Sequence, residues 1–130
     1  MTNRKQLHPE EWQWAKDAGF AQGVEVGNTV YVAGQVSIDD DGSLVGVPDD
    51  MRSQARQTFR NVEKVLAESG ASMDDIVDIT CYITDASKYA DYAAVRSEIF
   101  NGNLPASATV VVSALVIPGL LVEVAAVAVK

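Results

Sequence analysis

The final strand-like segment of the chain is apolar on both of its faces. Residues 120–129 read LLVEVAAVAV and carry one charge, on Glu123, while residues 109–112 read TVVV. A strand with one solvated face alternates apolar and polar residues, so an uninterrupted apolar strand needs cover on both faces. Helices of the same chain can cover one face. Because the other face would otherwise be a large exposed apolar patch, the sequence predicts an obligate homo-oligomer.

The chain is predicted to consist of an N-terminal arm and one domain. Its 130 residues are about one domain's worth of polypeptide. We expect residues 1–18 to form the arm, which carries both tryptophans, Trp12 and Trp14, and docks through them. Residues 19–130 are then a single domain with its own core.

The order of predicted elements in this domain indicates an α+β fold. Gly27-Asn28 is a two-residue turn signal, because both residues tolerate positive φ. The periodicity predicts first a hairpin over 23–33 and then a helix that starts after Asp49 or Asp50 and ends at Gly70. A strand over 76–84 follows, with Val77, Ile79, Cys81 and Ile83 on one face. A helix over 87–100 comes next, and two strands over 108–116 and 120–129, joined at Pro118-Gly119, close the chain. Two helices would therefore pack on one face of a sheet.

The charge balance argues against polyanionic partners. Eighteen acidic and ten basic residues give a net charge of −8. Nucleic-acid and anionic-membrane binding both need clustered Lys and Arg, so neither is expected. The N-terminal sequence has no apolar stretch of signal-peptide length, and no apolar run is long enough to span a bilayer. We therefore expect a cytoplasmic protein.

Metal and cofactor chemistry is not indicated by the sequence. The chain has one cysteine, Cys81, and one histidine, His8, which together do not form a typical transition-metal site. No glycine-rich phosphate loop is present, because Ala33-Gly34-Gln35 is not followed by a helix start. We expect no metal and no cofactor.

Glu123 is the candidate catalytic residue. A carboxylate within an apolar strand must be paired, protonated or directed into a cavity, since burying it unpaired is costly. In a partly apolar cavity its pKa would be raised, which suits a general acid or base. The alternative is a structural residue near a strand edge that reaches water.

Motifs spread along almost the whole chain from Gly19 carry a family resemblance. In chain order they are Gly19-Phe20-Ala21-Gln22, Val30-Tyr31-Val32-Ala33-Gly34-Gln35, Gln54 with Asn61, Gly70-Ala71-Ser72, Tyr82-Ile83-Thr84-Asp85, Pro105-Ala106 and Val122-Glu123-Val124-Ala125-Ala126. Their order and spacing resemble the reactive-intermediate deaminase (Rid; YjgF/YER057c/UK114) family. The resemblance implies a chorismate-mutase-like subunit with a mixed β-sheet, a homotrimer around a central β-barrel, and ligand clefts between subunits.

The chain departs from the deaminase branch of that family at several site positions. That branch hydrolyses enamines and imines to ketones and ammonia, with an arginine after Pro-Ala that binds the substrate carboxylate. Ser107 stands at that position here, Phe20 replaces an aromatic hydroxyl, and Thr109 replaces a cysteine. Glu123, which would orient a water, and the backbone of Gly34 are retained. The resemblance is therefore to a divergent member that lacks the carboxylate-binding arginine.

The resemblance implies two possible functions. The first is an enamine/imine deaminase-like hydrolase that acts on a small molecule other than a simple 2-imino acid. Glu123 would be its general base, and Ser107 and Thr109 would donate hydrogen bonds. Phe20 would form an apolar wall, and Gly34 would contribute a backbone contact. Its substrate would lack the α-carboxylate, or Arg96 or a neighbouring subunit's arginine would replace the missing one. The alternative is a non-catalytic trimeric ligand-binding or chaperone-like protein. Ribonuclease activity, a label of some family members, is disfavoured by the net charge and the single histidine.

Overall fold

A computed structural model of the protein describes residues 3–130. The regular elements are β1 (Arg4–Leu7), β2 (Gly23–Val26), β3 (Thr29–Gln35), α1 (Met51–Ala67), β4 (Ile76–Ile83), α2 (Tyr89–Ile99), β5 (Ala106–Val111) and β6 (Val122–Val129). This composition confirms the predicted α+β class. No helix within the described residues is both long enough and apolar enough to cross a membrane.

The strands form one mixed sheet in the order β1-β2-β3-β6-β4-β5. Neighbouring strands are antiparallel except β4 and β5, which are parallel. The apolar C-terminal strand β6 therefore occupies a central position, with β3 and β4 as its hydrogen-bonded neighbours. The predicted hairpin is confirmed as β2 and β3.

The predicted strand over 108–116 is wrong in its extent. β5 is the edge strand Ala106–Val111, and residues 112–121 form an irregular connection to the central strand β6. The two closing strands are therefore separated in the sheet by β4. Their apolar sequences alone do not distinguish an edge strand from a central one, because strand order depends on pairing between distant segments.

Both helices pack on the same face of the sheet, as predicted. The side chain of Asp50 caps the start of α1 by accepting a hydrogen bond from the Ser53 backbone N–H at 3.0 Å. Phe59 of α1 and Tyr92 of α2 stack with ring centroids 6.0 Å apart. The Tyr92 hydroxyl in turn hydrogen-bonds the buried Cys81 thiol of β4.

One predicted core position on β4 is wrong. Val77 is 48% exposed, and Ile76 takes the buried position instead. The pairing of β4 with β6 shifts register between Ile76 and Asp78. Such a shift changes which side chains face the core, so strict alternation fails at this end of the strand.

The opposite face of the sheet carries exposed apolar side chains. Residues directly paired across neighbouring strands share a face, and Tyr31 pairs with Val127 while Tyr82 pairs with Val110. Tyr31 is 52% exposed and Val110 is 43% exposed. This is the face for which the sequence predicts cover by another copy of the chain.

The N-terminal region contacts the rest of the fold in two ways. Arg4–Leu7 forms the edge strand β1 and pairs with β2. Trp12 is 2% exposed, and its indole Nε1 donates to Asp40 Oδ1 at 2.9 Å. Trp12 therefore docks this region as expected, and the region also extends the sheet by one strand.

Candidate functional site

The predicted site residues lie in two separate cavities of one chain. The first, which we call the Glu123 cavity, has a volume of about 480 Å³ and is lined by Glu123, Gly34 and Phe20 among others. The second, the Arg96 cavity, has a volume of about 860 Å³ and is lined by residues that include Arg96, Ser107 and Thr109. The structure of one chain thus brings the six residues together as two groups of three.

Strand register explains this separation. Thr109 of β5 pairs with Cys81, whose side chain is buried under α2. Glu123 of β6 pairs with Tyr82, the next residue along β4. Because successive residues of a strand point to opposite faces, Thr109 lies on the helix-covered face and Glu123 on the other. The two groups can meet only if different copies of the chain contribute them to one cleft.

Glu123 lies against the backbone of Gly34. A Cβ atom at position 34 would be 2.8 Å from Cδ of Glu123 and 3.1 Å from its Cγ, so a side chain there would displace the carboxyl group. The absent side chain at position 34 therefore leaves the space that the Glu123 carboxyl group occupies. This supplies a steric reason for glycine at this position.

The carboxyl group of Glu123 has no partner of its own. Within residues 3–130 it makes no hydrogen bond and no ion pair to another side chain, and burial raises its pKa. Because β6 is a central strand, Glu123 is not a residue at a sheet edge. A half-buried carboxyl group of raised pKa that faces a cavity can accept and return a proton.

The Glu123 cavity has aromatic walls, one of which the sequence analysis missed. Phe20, the predicted apolar wall, is 57% exposed, and Trp14 lines the same cavity with 37% exposure. The indole rings of Trp12 and Trp14 lie 5.3 Å apart. Trp14 was predicted only to dock the N-terminal arm, and no spacing in the sequence relates it to Glu123.

Buried amide side chains of α1 hold the loops around this cavity. Gln54, which is fully buried, donates through Nε2 to the carbonyls of Gly46 and Gly119 at 3.1 Å each, and its Oε1 accepts from the Leu121 N–H at 2.8 Å. Gln54 therefore ties the connection before β6 to the loop before α1.

Asn61, about two turns further along α1, has a similar role. Its Nδ2 donates to the carbonyls of Val36 and Ile38 at 2.9 and 2.8 Å. Val36 and Ile38 line the Glu123 cavity. In the sequence, Gln54 and Asn61 carried only a family resemblance, although a polar residue on an apolar helix face is a signal for such a role.

Arg96 is the one charged residue that lines the second cavity. Its guanidinium donates to the Tyr89 hydroxyl at 3.0 Å and lies over the rings of Tyr89 and Tyr92, 5.5 and 5.4 Å from their centroids. No carboxylate lies within ion-pair distance of it in the described part of the chain. A cation that is held by aromatic rings and has no anionic partner suits the binding of an anionic group.

Cys81 does not behave as a reactive cysteine. Its side chain is fully buried, and burial raises the pKa of the thiol. The reactive form of cysteine is the thiolate, which a raised pKa disfavours. Among residues 3–130, no three His, Cys, Asp or Glu side chains converge as a group that could hold a metal ion.

Comparisons with known proteins place this geometry in a family. The family model described as Endoribonuclease L-PSP matches residues 13–130. A RutC family protein of Pyrococcus abyssi is 36% identical over 111 residues, which cover 85% of this chain and 86% of the relative. A 2-iminobutanoate/2-iminopropanoate deaminase of Dermatophagoides farinae is 35% identical over 97 residues, 74% of each chain.

A solved structure supports the same conclusion. The crystal structure of a YjgF/YER057c/UK114 family member from Mycobacterium tuberculosis superposes with a TM-score of 0.84. It is 30% identical, and the match covers 98% of this chain and 100% of that one. The residues matched by the family model include both helices, every strand except β1 and the residues that line both cavities. It therefore belongs to the YjgF/YER057c/UK114, or Rid, family.

Proposed function

We propose that the chain is a Rid-type hydrolase that acts on an imine or enamine in a cleft between subunits of a homotrimer. The observation that carries this proposal is Glu123, an unpaired carboxyl group of raised pKa that faces a cavity. The relative from Dermatophagoides farinae, named as an imine deaminase, supports the reaction class.

Imine hydrolysis needs one group that moves a proton to and from water. Glu123 would accept a proton from a water molecule while the water oxygen bonds to the imine carbon and the C=N π electrons move to nitrogen. The nitrogen takes up the proton that Glu123 holds, which gives a carbinolamine. The hydroxyl proton then passes through Glu123 to the nitrogen, the carbon–nitrogen bond breaks to release ammonia, and the carbon–oxygen bond becomes the C=O bond of the ketone. A carboxyl group whose pKa is raised towards the working pH is suited to both proton transfers.

The Arg96 cavity would supply the binding half of the cleft. Ser107 and Thr109 offer neutral hydrogen bonds, and the guanidinium of Arg96 offers charge. Replacement of an arginine by Ser107 removes a charge-assisted contact, which should weaken the binding of a 2-imino acid by roughly tenfold to several hundredfold. The proposed substrate is therefore not a simple 2-imino acid, unless Arg96 binds the carboxylate.

The exposed apolar sheet face supports the assembly part of the proposal. Tyr31 and Val110 on this face are about half exposed in one chain, and the β6 side chains on that side are apolar apart from Glu123. A trimer that buries this face would bring the Glu123 cavity of one chain towards the Arg96 cavity of the next. Each cleft would then contain both groups of site residues.

The test supplies 2-iminobutanoate from 2-aminobutanoate with an amino-acid oxidase and measures ammonia release above the spontaneous rate. We expect wild type to be slow with this substrate, Ser107→Arg to be faster, and Glu123→Gln to remove the activity of both. Equal rates for wild type and Glu123→Gln would contradict the role of Glu123. If neither wild type nor Ser107→Arg accelerates hydrolysis of any imine, the non-catalytic ligand-binding alternative replaces the proposal.

A further inference from the structure

The Glu123 cavity is larger and more apolar than hydrolysis of a small imine requires. Its volume of about 480 Å³ compares with roughly 150 Å³ for a cavity that binds benzene. Its walls include the aromatic rings of Trp14 and Phe20 and the aliphatic side chains of Val116 and Ile117. An aromatic, concave surface of this size is typical of a site for an apolar group.

The indole of Trp14 is held in place before any ligand arrives. It packs against the ring of Trp12, with the planes inclined by 31°. On another side it lies against Gly42, where an added Cβ would be 3.1 Å from Cβ of Trp14. Trp12 is itself fixed by burial and by its hydrogen bond to Asp40. A wall that is already ordered loses little conformational entropy when a ligand binds.

Glu123 is the one ionisable side chain among the residues that line this cavity. The remaining polar side chains of the lining, Gln22 and Gln35, bind one another, since Gln35 Nε2 donates to Gln22 Oε1 at 3.0 Å. The apolar walls therefore surround one reactive carboxyl group. A ligand that uses the whole cavity must combine a polar group at Glu123 with a bulky apolar substituent.

We propose that Trp14 and Phe20 make the Glu123 cavity selective for ligands with an aromatic or similarly bulky apolar substituent next to the reacting group. This inference rests on the proposed function in one respect, that the reacting group of the ligand lies at Glu123. It assigns the apolar substituent to the cavity wall formed by the N-terminal region. Small aliphatic ligands leave that wall uncovered and bind weakly.

The test is a binding measurement with two neutral amides, 2-phenylacetamide and acetamide. An amide has both a donor and an acceptor for the Glu123 carboxyl group, and its neutrality removes any contribution from Arg96. The sequence contains two tryptophans, so the ¹H–¹⁵N spectrum has two indole signals, which the Trp14→Phe variant assigns. We expect phenylacetamide to shift the Trp14 signal and not the Trp12 signal, with a Kd at least about tenfold below that of acetamide.

Variants separate this effect from general hydrophobic binding. Trp14→Ala should weaken phenylacetamide binding at least about fivefold, while Trp14→Phe keeps most of the affinity because an aromatic wall remains. Val77→Ala, which shortens an exposed apolar side chain outside both cavities, should leave the affinity unchanged. Phe20→Ala provides a second test of the wall if Trp14→Ala does not fold.

The outcomes distinguish this inference from the proposed hydrolysis. Binding of phenylacetamide at Trp14 without turnover of any imine would remove the hydrolase proposal and leave the selectivity intact. Turnover of alanine- and phenylalanine-derived imines with equal kcat/KM, unchanged in Trp14→Ala, would overturn the selectivity and leave the hydrolase proposal intact. A Trp14 signal that responds to protein concentration but not to phenylacetamide would also overturn it, since the wall would then be a contact between chains.

Discussion

The carboxyl group of Glu123 occupies the space that a side chain at Gly34 would fill. A Cβ at position 34 would come within 2.8 Å of Cδ of Glu123, and its nearest neighbours would all be atoms of that side chain. The two residues come from neighbouring strands, β3 and β6, so the position of the carboxyl group depends on the pairing of these strands.

Gly34→Ala should therefore impair function more than stability. The Glu123 side chain can rotate away from the new methyl group, so we expect the free energy of unfolding to fall by less than about 1 kcal/mol. Displacing the carboxyl group by about 1 Å should lower kcat/KM for an identified substrate by about tenfold to a hundredfold. Urea unfolding and steady-state kinetics measure the two effects.

A double variant tests whether Gly34 acts through Glu123. If it does, Gly34→Ala should cause no further loss of activity in the Glu123→Gln background, because the two changes remove the same group. Independent, multiplying losses would show that Gly34 contributes by some other route, such as a backbone contact with substrate.

Because the carboxyl group of Glu123 is half-buried and has no partner, the free energy of unfolding should depend on pH. Burial raises the pKa of Glu123 above the ordinary value of 4.5, so the folded chain binds this proton more tightly than the unfolded chain. The contribution of Glu123 to stability is therefore fully present below pH 4.5 and is lost as pH rises through the folded-state pKa. Glu123→Gln removes this dependence.

We accordingly expect Glu123→Gln to gain stability relative to wild type between about pH 3.5 and pH 7. Urea unfolding at the two pH values measures the difference. Glu63→Gln, a change at an exposed glutamate of α1, is the control for loss of one negative charge. A stability difference between Glu123→Gln and wild type that is the same at both pH values would contradict the assigned burial.

Gln54 should be one of the most sensitive positions for stability. Gln54→Ala removes three hydrogen bonds and leaves the backbone groups of Gly46, Gly119 and Leu121 without their side-chain partner. We expect the free energy of unfolding to fall by about 2–4 kcal/mol. Gln13→Ala, at an exposed glutamine, should change it by less than about 0.5 kcal/mol. Similar values for the two variants in urea unfolding would show that the Gln54 network contributes little.

Local sequence patterns were sufficient to predict the elements that depend on interactions between nearby residues. The periodicity of α1, a cap at Asp49 or Asp50 and the turn at Gly27-Asn28 predicted the observed elements, and the structure shows Asp50 as the cap. The apolar composition of β6 correctly indicated a strand, and the cover of its second face by another copy stays a prediction. These features depend on residues within one turn or one strand of each other.

The errors and omissions involve contacts between distant segments. The register shift beside Val77 and the pairing of β5 with β4 depend on strand partners that periodicity does not specify. The lone charge in an apolar strand made Glu123 a candidate site residue, and the resemblance added Ser107, but register places the two on opposite faces of one sheet. Trp14 reaches the Glu123 cavity only because Trp12 and the loop at Gly42 hold it there.

Mixing two variants, each of which lacks one charged group of the proposed cleft, tests whether one cleft takes residues from two chains. Glu123→Gln removes the proposed general base, and Arg96→Met removes the guanidinium that lines the other cavity. If each cleft combines Glu123 of one chain with Arg96 of its neighbour, equal amounts reassembled at random should regain about one quarter of the wild-type sites.

The same mixture also tests the alternative, in which each site takes all its residues from one chain. In that case every cleft in the mixture would carry one of the two substitutions, and no activity above that of the separate variants would return. The control mixture combines Glu123→Gln with Arg56→Met instead of Arg96→Met. Arg56 is a matched control because it is an arginine on α1 that pairs with Glu98 at the surface and lines neither cavity.

The most direct test of the central claim, that copies of this chain cover the apolar sheet face, is sedimentation equilibrium at micromolar concentration. We expect one species with about three times the 13.9 kDa mass of a single chain, and no dissociation on dilution through that range. A stable species of 13.9 kDa would contradict it, because the apolar face would then be compatible with water and the two cavities would never meet.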